Sequence, residues 1–206
     1  MSEDLFQCMR PHGEAGLKTI EDMNAEHTPQ IMCGVDNLPP MDPKIVLDVG
    51  CGGGIFTKII LERYPGSKVC GIDISDLCID YAKDFLSGSV EAGRASFQVA
   101  DVHSLPFDND TFDLVVSNAS HFFWSDIEKG MGEICRVMKK GGVVCLTAGI
   151  RFKEEPTEAQ KKELEGLTNM LTDNELMDLM SECGFDTEIY SDDENGFCAY
   201  IGMKRK

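Results

Sequence analysis

The chain has 206 residues, with 19 Lys and Arg against 36 Asp and Glu and a formal net charge of −17. Hydrophobic residues make up 42%, enough for one sizeable core, which excludes a disordered chain. The acidity argues against a phosphate-gripping nucleic-acid binder and against a protein lying on an anionic membrane, because both need a basic face.

The start, Met1-Ser2-Glu3-Asp4, lacks the basic residues and apolar stretch of a signal peptide. No apolar run approaches the ~20 residues needed to cross a bilayer. Nine cysteines are present, none in a C-x-x-C pair, so neither a zinc site nor any other metal site is expected. These features predict a cytoplasmic protein with reduced thiols.

Within 5–38 the apolar residues Leu17, Ile20 and Met23 recur at helical spacing. Pro39, Pro40 and Pro43 then break regular structure, and the boundary is placed there: a helical segment over 1–41 and a domain over 42–206. Strands are predicted at 45–49, 68–72, 95–99, 112–117, 142–148, 187–190 and 197–203. Helices are predicted at 55–63, 76–88, 125–138, 157–171 and 173–183, the last capped by Asp173. The early strands are continuous β-branched runs, as in strands buried on both faces. Alternation with helices argues an α/β doubly wound, Rossmann-like sheet.

The most informative stretch is Val46-Leu47-Asp48-Val49-Gly50-Cys51-Gly52-Gly53-Gly54, between a strand and a helix. Such a loop brings backbone close to a ligand over the first strand. A dinucleotide fingerprint counted from Gly50 needs glycine or alanine at 55, where Ile55 stands. The fitting pattern is D-x-G-x-G-x-G, with Asp48, Gly50, Gly52 and Gly54. An acid ahead of the loop is a poor neighbour for a pyrophosphate and suits an ammonium or sulfonium. Asp73 ends the second strand, where a carboxylate can accept ribose hydroxyls, and Asp101 ends the third, where it can accept an adenine amino group. Together these acids imply a nucleoside ligand without phosphates.

The stretches VLDVGCGGG, GIDIS, ADVHSLPFDNDTFDLVVSN and SDIEKGMGEICRVMKKGGVV resemble the class I S-adenosylmethionine-dependent methyltransferases. The resemblance is closest to the small ubiquinone/menaquinone-biosynthesis-type branch, over about 42–150. It implies a seven-stranded sheet of order 3-2-1-4-5-7-6 with strand 7 antiparallel, and S-adenosyl-L-methionine as cofactor. It implies that Gly50, Cys51, Gly52 and Gly54 lie under the methionine part near Asn118. Asp73 would bind the ribose, Ile74 would pack on adenine, and Asp101 with the Val102 backbone would read the adenine edge. Lys139-Lys140-Gly141-Gly142 departs from the family's Lys-Pro-Gly-Gly.

Ser117-Asn118-Ala119-Ser120-His121-Phe122-Phe123-Trp124 follows the fourth strand and overhangs the methyl group in this fold. His121 is the candidate general base, since its ordinary pKa is ~6.5. Phe122 and Trp124, with Met23 and His27 from the N-terminal segment, are the candidate acceptor pocket. The resemblance implies that this segment folds over the cofactor as a lid. His103 is expected to be solvent-exposed. The insertion 151–172 is expected to be scaffold near the substrate, and the acidic run Ser191 to Gly196 a turn between strands.

The expected activity is methyl transfer to a small or lipid-like acceptor by proximity and desolvation. RNA or protein methylation is an alternative, but Asn118-Ala119-Ser120-His121 stands where a base or amide methylase carries Asn-Pro-Pro-Tyr. A non-catalytic cofactor-binding partner subunit is another. Oligomeric state is open.

Overall fold

The computed structural model describes residues 3–206, with side chains from Phe6 onward; Met1 and Ser2 of the acidic start lie outside the described residues. Three helices, α1 (Glu3–Met9), α2 (Gly13–Glu26) and α3 (Thr28–Val35), come first. The alternating part is β1 (Ile45–Val49), α4 (Ile55–Arg63), β2 (Lys68–Asp73), α5 (Asp76–Phe85), α6 (Ser87–Glu91) and β3 (Ala95–Val99). It continues as β4 (Phe112–Asn118), α7 (Ile127–Val137), β5 (Met138–Ala148), α8 (Glu158–Glu163), α9 (Asp173–Glu182), β6 (Phe185–Asp192) and β7 (Phe197–Lys204).

The strands form one seven-stranded sheet of order β3-β2-β1-β4-β5-β7-β6. β7 runs antiparallel to both β5 and β6, as the family resemblance implied. The central strands are buried on both faces: Val46, Leu47, Leu114, Val115, Val116, Val144, Cys145 and Leu146 have no exposed surface. This two-sided burial is why they read as unbroken apolar runs. Parallel strands also put the ends of β1, β2, β3 and β4 on one edge, where the loops gather.

On one face Met131, Ile134 and Val137 of α7 and Leu176 and Met180 of α9 pack against the sheet. On the other, α3 and α4 pack with Ile31, Val35, Phe56 and Ile60. α3 seats at Gly34, where an added Cβ would come 2.4 Å from Thr147 Cγ2 and 2.6 Å from Cys145 Sγ. Burial of Ile31 and Val35 contributes about 1.5–3 kcal/mol each. The expected boundary at 41 therefore cuts α3 away from the core it helps to build.

Other expectations shift. Leu17 is exposed while Ile20 is buried, so the stripe on α2 is narrower than its spacing suggested. The predicted helix over 157–171 stops at Glu163, and Gly166 takes φ 128°. The predicted helix over 76–88 splits at Leu86 into α5 and α6. The cap of α9 is Thr172, whose hydroxyl accepts from the Glu175 amide while the Glu175 carboxylate accepts from the Thr172 amide. Asp173 sits one residue inside and accepts from Arg151 Nε and Tyr200 Oη at 2.8 and 2.7 Å. Gly141 (φ 76°) makes the turn in Lys139-Lys140-Gly141-Gly142 without proline, and the register of β5 against β4 shifts there.

Candidate active site

A cavity of about 530 Å³ opens over the carboxyl edge of β1, β2, β3 and β4. Every cofactor residue named from the sequence except Gly54 lines it: Asp48, Gly50, Cys51, Gly52, Asp73, Ile74, Asp101, Val102 and Asn118. The four expected acceptor residues, Met23, His27, Phe122 and Trp124, line it too. His121 does not.

The glycine loop owes its shape to left-handed backbone at Gly50 (φ 67°), Gly52 (φ 51°) and Gly54 (φ 87°). A side chain on Gly50 would strike Ser120, and one on Gly53 would strike Asn24 and Ile20 of α2, at 2.6 Å or less from the nearest atom in each case. Gly52 faces open space. Gly54 lies outside the cavity wall and packs toward Ala82 and Leu86, so its role is to turn the chain into α4.

Asp48 is buried at the end of β1, and its Oδ2 accepts from Thr57 Oγ1 at 2.7 Å. Its Oδ1 has no partner among the described residues. Burial raises the carboxyl to about 7, Thr57 opposes the rise, and the nearby Asp73 charge adds to it. Asp73 accepts from the Gly52 amide at 3.0 Å and the Ser75 amide at 2.9 Å. Burial pushes its carboxyl up, against those hydrogen bonds. Ile74 is 41% exposed, an apolar surface offered to the cavity. Asp101 accepts from the His103 amide at 2.9 Å and pairs with its ring Nδ1 at 2.5 Å. Partial burial works against ionisation there, and the hydrogen bonds from His103 outweigh it, holding the carboxyl below its ordinary value. His103 is not free in solvent as expected, because its Nε2 also accepts from the Asp126 amide.

These residues fit S-adenosylmethionine. Asp48 lines the cavity with a buried carboxyl oxygen that has no partner among the described residues, which suits the ammonium of the cofactor's methionine part. Asp73 keeps acceptor capacity for ribose hydroxyls, and Ile74 and Val102 give apolar surface for a purine.

At the other end, Ala119 takes a left-handed conformation (φ 54°), so β4 ends in a sharp turn. Ser120 Oγ donates to the Val49 carbonyl at 3.2 Å, lies 2.7 Å from Ser117 Oγ, and accepts from Trp124 Nε1 at 3.2 Å. This fixes the aromatic turn against the glycine loop. From behind, Thr168 and Asn169 donate to the carbonyls of Phe122 and Trp124, so the insertion braces the turn. Leu167 of that insertion lines the cavity.

His121 points the other way, into a small space with Phe152, Leu176 and Tyr200. Its ring is buried against Phe122 with centroids 4.1 Å apart, and Nδ1 has no partner among the described residues. Burial lowers it to about 4. The expectation of a base at His121 is thus corrected: on so short a turn Phe122 and Trp124 take the cavity side and the ring goes behind.

Sequence reasoning missed Asn24, Gln30 and Thr147, which hold this end together. Asn24 Nδ2 donates to the Gly53 carbonyl at 3.0 Å, tying α2 to the loop. Gln30 Nε2 and Thr147 Oγ1 both donate to Asn118 Oδ1, and Asn118 Nδ2 meets His27 Nδ1 at 3.0 Å. The only signal available was polar residues, Asn24, His27 and Gln30, at helical spacing in an amphipathic segment.

Residues 47–146 match the family model described as a methyltransferase domain. The chain is 33% identical over 103 residues to a malonyl-acyl-carrier-protein O-methyltransferase of Acetivibrio thermocellus, covering 50% of this chain and 34% of that protein. It is 34% identical over 98 residues to the ubiquinone/menaquinone biosynthesis C-methyltransferase UbiE of Geobacter sulfurreducens, covering 47% of this chain and 38% of that protein. The chain spans well under half the length of these curated relatives. A Haemonchus contortus phosphoethanolamine N-methyltransferase 2 solved with S-adenosyl-L-methionine superposes with a TM-score of 0.77 at 16% identity, over 92% of this chain and 57% of that one, a likeness of fold.

Sheet order, glycine loop and carboxylates are those of the class I S-adenosylmethionine-dependent methyltransferase fold, and residues 47–146 match a methyltransferase domain. The matched segment is similar both to ubiquinone/menaquinone-type C-methyltransferases and to malonyl-acyl-carrier-protein O-methyltransferases, and the residues lining the cavity suit S-adenosylmethionine as cofactor.

Proposed function

We propose that the chain methylates a small, largely apolar acceptor held between α2, α3 and the turn 118–124. One observation carries this reading. The cavity runs from the cofactor residues to Met23, His27, Phe122 and Trp124, and among the described residues no Lys or Arg lines it. A polyanion would find no counter-charge there.

S-adenosylmethionine, when bound, supplies an electrophilic methyl on a sulfonium. Methyl transfer neutralises that charge, so a dry apolar wall favours it. Asp48 would take the ammonium, Asp73 the ribose, and Asp101 with Val102 the adenine edge. Gly50, Cys51 and Gly52 would let backbone approach the methionine part, and Asn118 would stand near it. Phe122, Trp124 and Met23 would exclude water and hold the acceptor in line. The N-terminal segment, through Met23, Asn24 and His27, would act as a lid that opens for exchange. No helix among the described residues is long and apolar enough to cross a membrane, and a cytoplasmic location is part of the proposal.

Incubating the protein with methyl-labelled S-adenosylmethionine and fractionated cell extract tests this reading. Label is expected in the small-molecule and lipid fractions. Label confined to RNA or protein would favour those alternatives. Cofactor binding without label in any fraction would favour a non-catalytic partner subunit.

A further inference from the structure

We propose that His27 presents a fixed hydrogen-bond donor, Nε2–H, to the acceptor, and that the acceptor carries a neutral carbonyl-type oxygen which takes this bond. The inference rests on the methyl-transfer reading and narrows its substrate class.

The argument starts at Asn118. Its Oδ1 accepts from Gln30 Nε2 at 2.9 Å and from Thr147 Oγ1 at 2.8 Å. The Gln30 NH₂ fixes which way the amide faces, because the reverse orientation would set two NH₂ groups against each other, and the Thr147 hydroxyl, which can donate or accept, then donates to the same oxygen. The NH₂ therefore points at His27 Nδ1, 3.0 Å away. An amide nitrogen has no lone pair to give, so Nδ1 must accept. A neutral imidazole that accepts at Nδ1 carries its proton on Nε2. Nε2 has no partner among the described residues, and the ring lies in the cavity wall.

Protonating the ring would put an N–H at Nδ1 against the Asn118 NH₂, so the network resists the imidazolium form. Burial acts in the same direction, and Glu26 is the adjacent charge that pulls against it. A general base must offer a lone pair to the cavity, whereas this tautomer offers a proton. His27 thus orients the acceptor and does not deprotonate it. A carboxylate or phosphate would find a donor here but no Lys or Arg among the described residues. A neutral oxygen on an otherwise apolar molecule matches both the donor and the walls formed by Met23 and Phe122.

The test is imidazole ¹⁵N NMR of histidine-labelled protein with S-adenosylhomocysteine at pH 7.5, which is tractable with four histidines. His27→Asn assigns the signals by their loss. The expected spectrum shows a protonated Nε2 and an unprotonated Nδ1 at His27. In Asn118→Asp the new carboxylate accepts from Nδ1–H, so the tautomer should switch and the protonation midpoint should rise. A proton on Nδ1 in the wild type, an imidazolium at pH 7.5, or no switch in Asn118→Asp overturns the inference. Calorimetry on the same sample separates the two levels. S-adenosylhomocysteine bound beside the wrong tautomer removes only the donor at His27, whereas no binding removes the methyl-transfer reading and this inference with it.

Discussion

Thr57 donates its hydroxyl to one oxygen of Asp48 at 2.7 Å, and the other oxygen of that buried carboxyl is left without a partner among the described residues. Together they mark where the proposed cofactor site is assembled at the protein's own expense. An unpaired buried carboxyl costs stability until a cation arrives.

The first prediction follows from the sign of that cost. The Asp48 carboxyl is raised from 3.8 to about 7 in the folded protein. Between those values the unfolded chain is ionised and the folded chain holds the proton, so this group's contribution to stability falls as pH rises through the window. A cationic ligand favours the ionised form, so S-adenosylmethionine should bind more tightly at pH 8 than at pH 6, with release of a proton. Asp48→Asn should raise the Tm of the free protein at pH 8 and weaken cofactor binding. Calorimetry in buffers of different ionisation enthalpy reads the proton, and a pH-independent affinity would count against the assignment.

Asp73 holds the Gly52 and Ser75 amides with its two oxygens. Asp73→Ala should lower cofactor affinity by ~1–3 kcal/mol through lost hydrogen bonds to the ligand and a loosened loop. Affinity equal to that of the wild type would remove Asp73 from the site.

Gly53 is where α2 meets the glycine loop. In Gly53→Ala the new methyl would fall 2.6 Å from Asn24 Oδ1 and Ile20 Cγ2. α2 should be pushed off, with cofactor affinity down by ~1–3 kcal/mol and faster proteolysis within residues 10–27. Unchanged proteolysis would show that α2 does not rest on the loop in solution.

His121 is lowered from 6.5 to about 4 by burial. The unfolded chain protonates first on acidification, so this group's contribution to stability is lost as pH falls from about 6.5 to 4. His121→Phe should flatten that part of the stability profile. With the ring behind the cavity wall, turnover should fall less than ~10-fold; a loss of ~100-fold would reinstate it as the base.

Legibility followed the range of the interactions. The glycine loop, Asp73 and Asp101 were readable because each is a local pattern at a strand end, and central strands declare themselves by burial on both faces. The edge of helix α8 was not readable: Glu158 to Leu171 keeps helical composition, but Leu167, Thr168 and Asn169 are drawn into contacts with the turn at 121–124. The aim of a side chain was equally hidden. His121 and Phe122 are adjacent, yet Phe122 lines the cavity while His121 lies only in the small space beside Phe152, Leu176 and Tyr200, residues distant in sequence. The bond between Asn118 and His27 joins residues far apart in sequence, and nothing local announces it.

Calorimetric titration with S-adenosylmethionine, S-adenosylhomocysteine and NAD tests the central claim most directly. The account predicts that the first two bind with one site per chain and that NAD does not bind. Binding of NAD with no heat from the other two would contradict it.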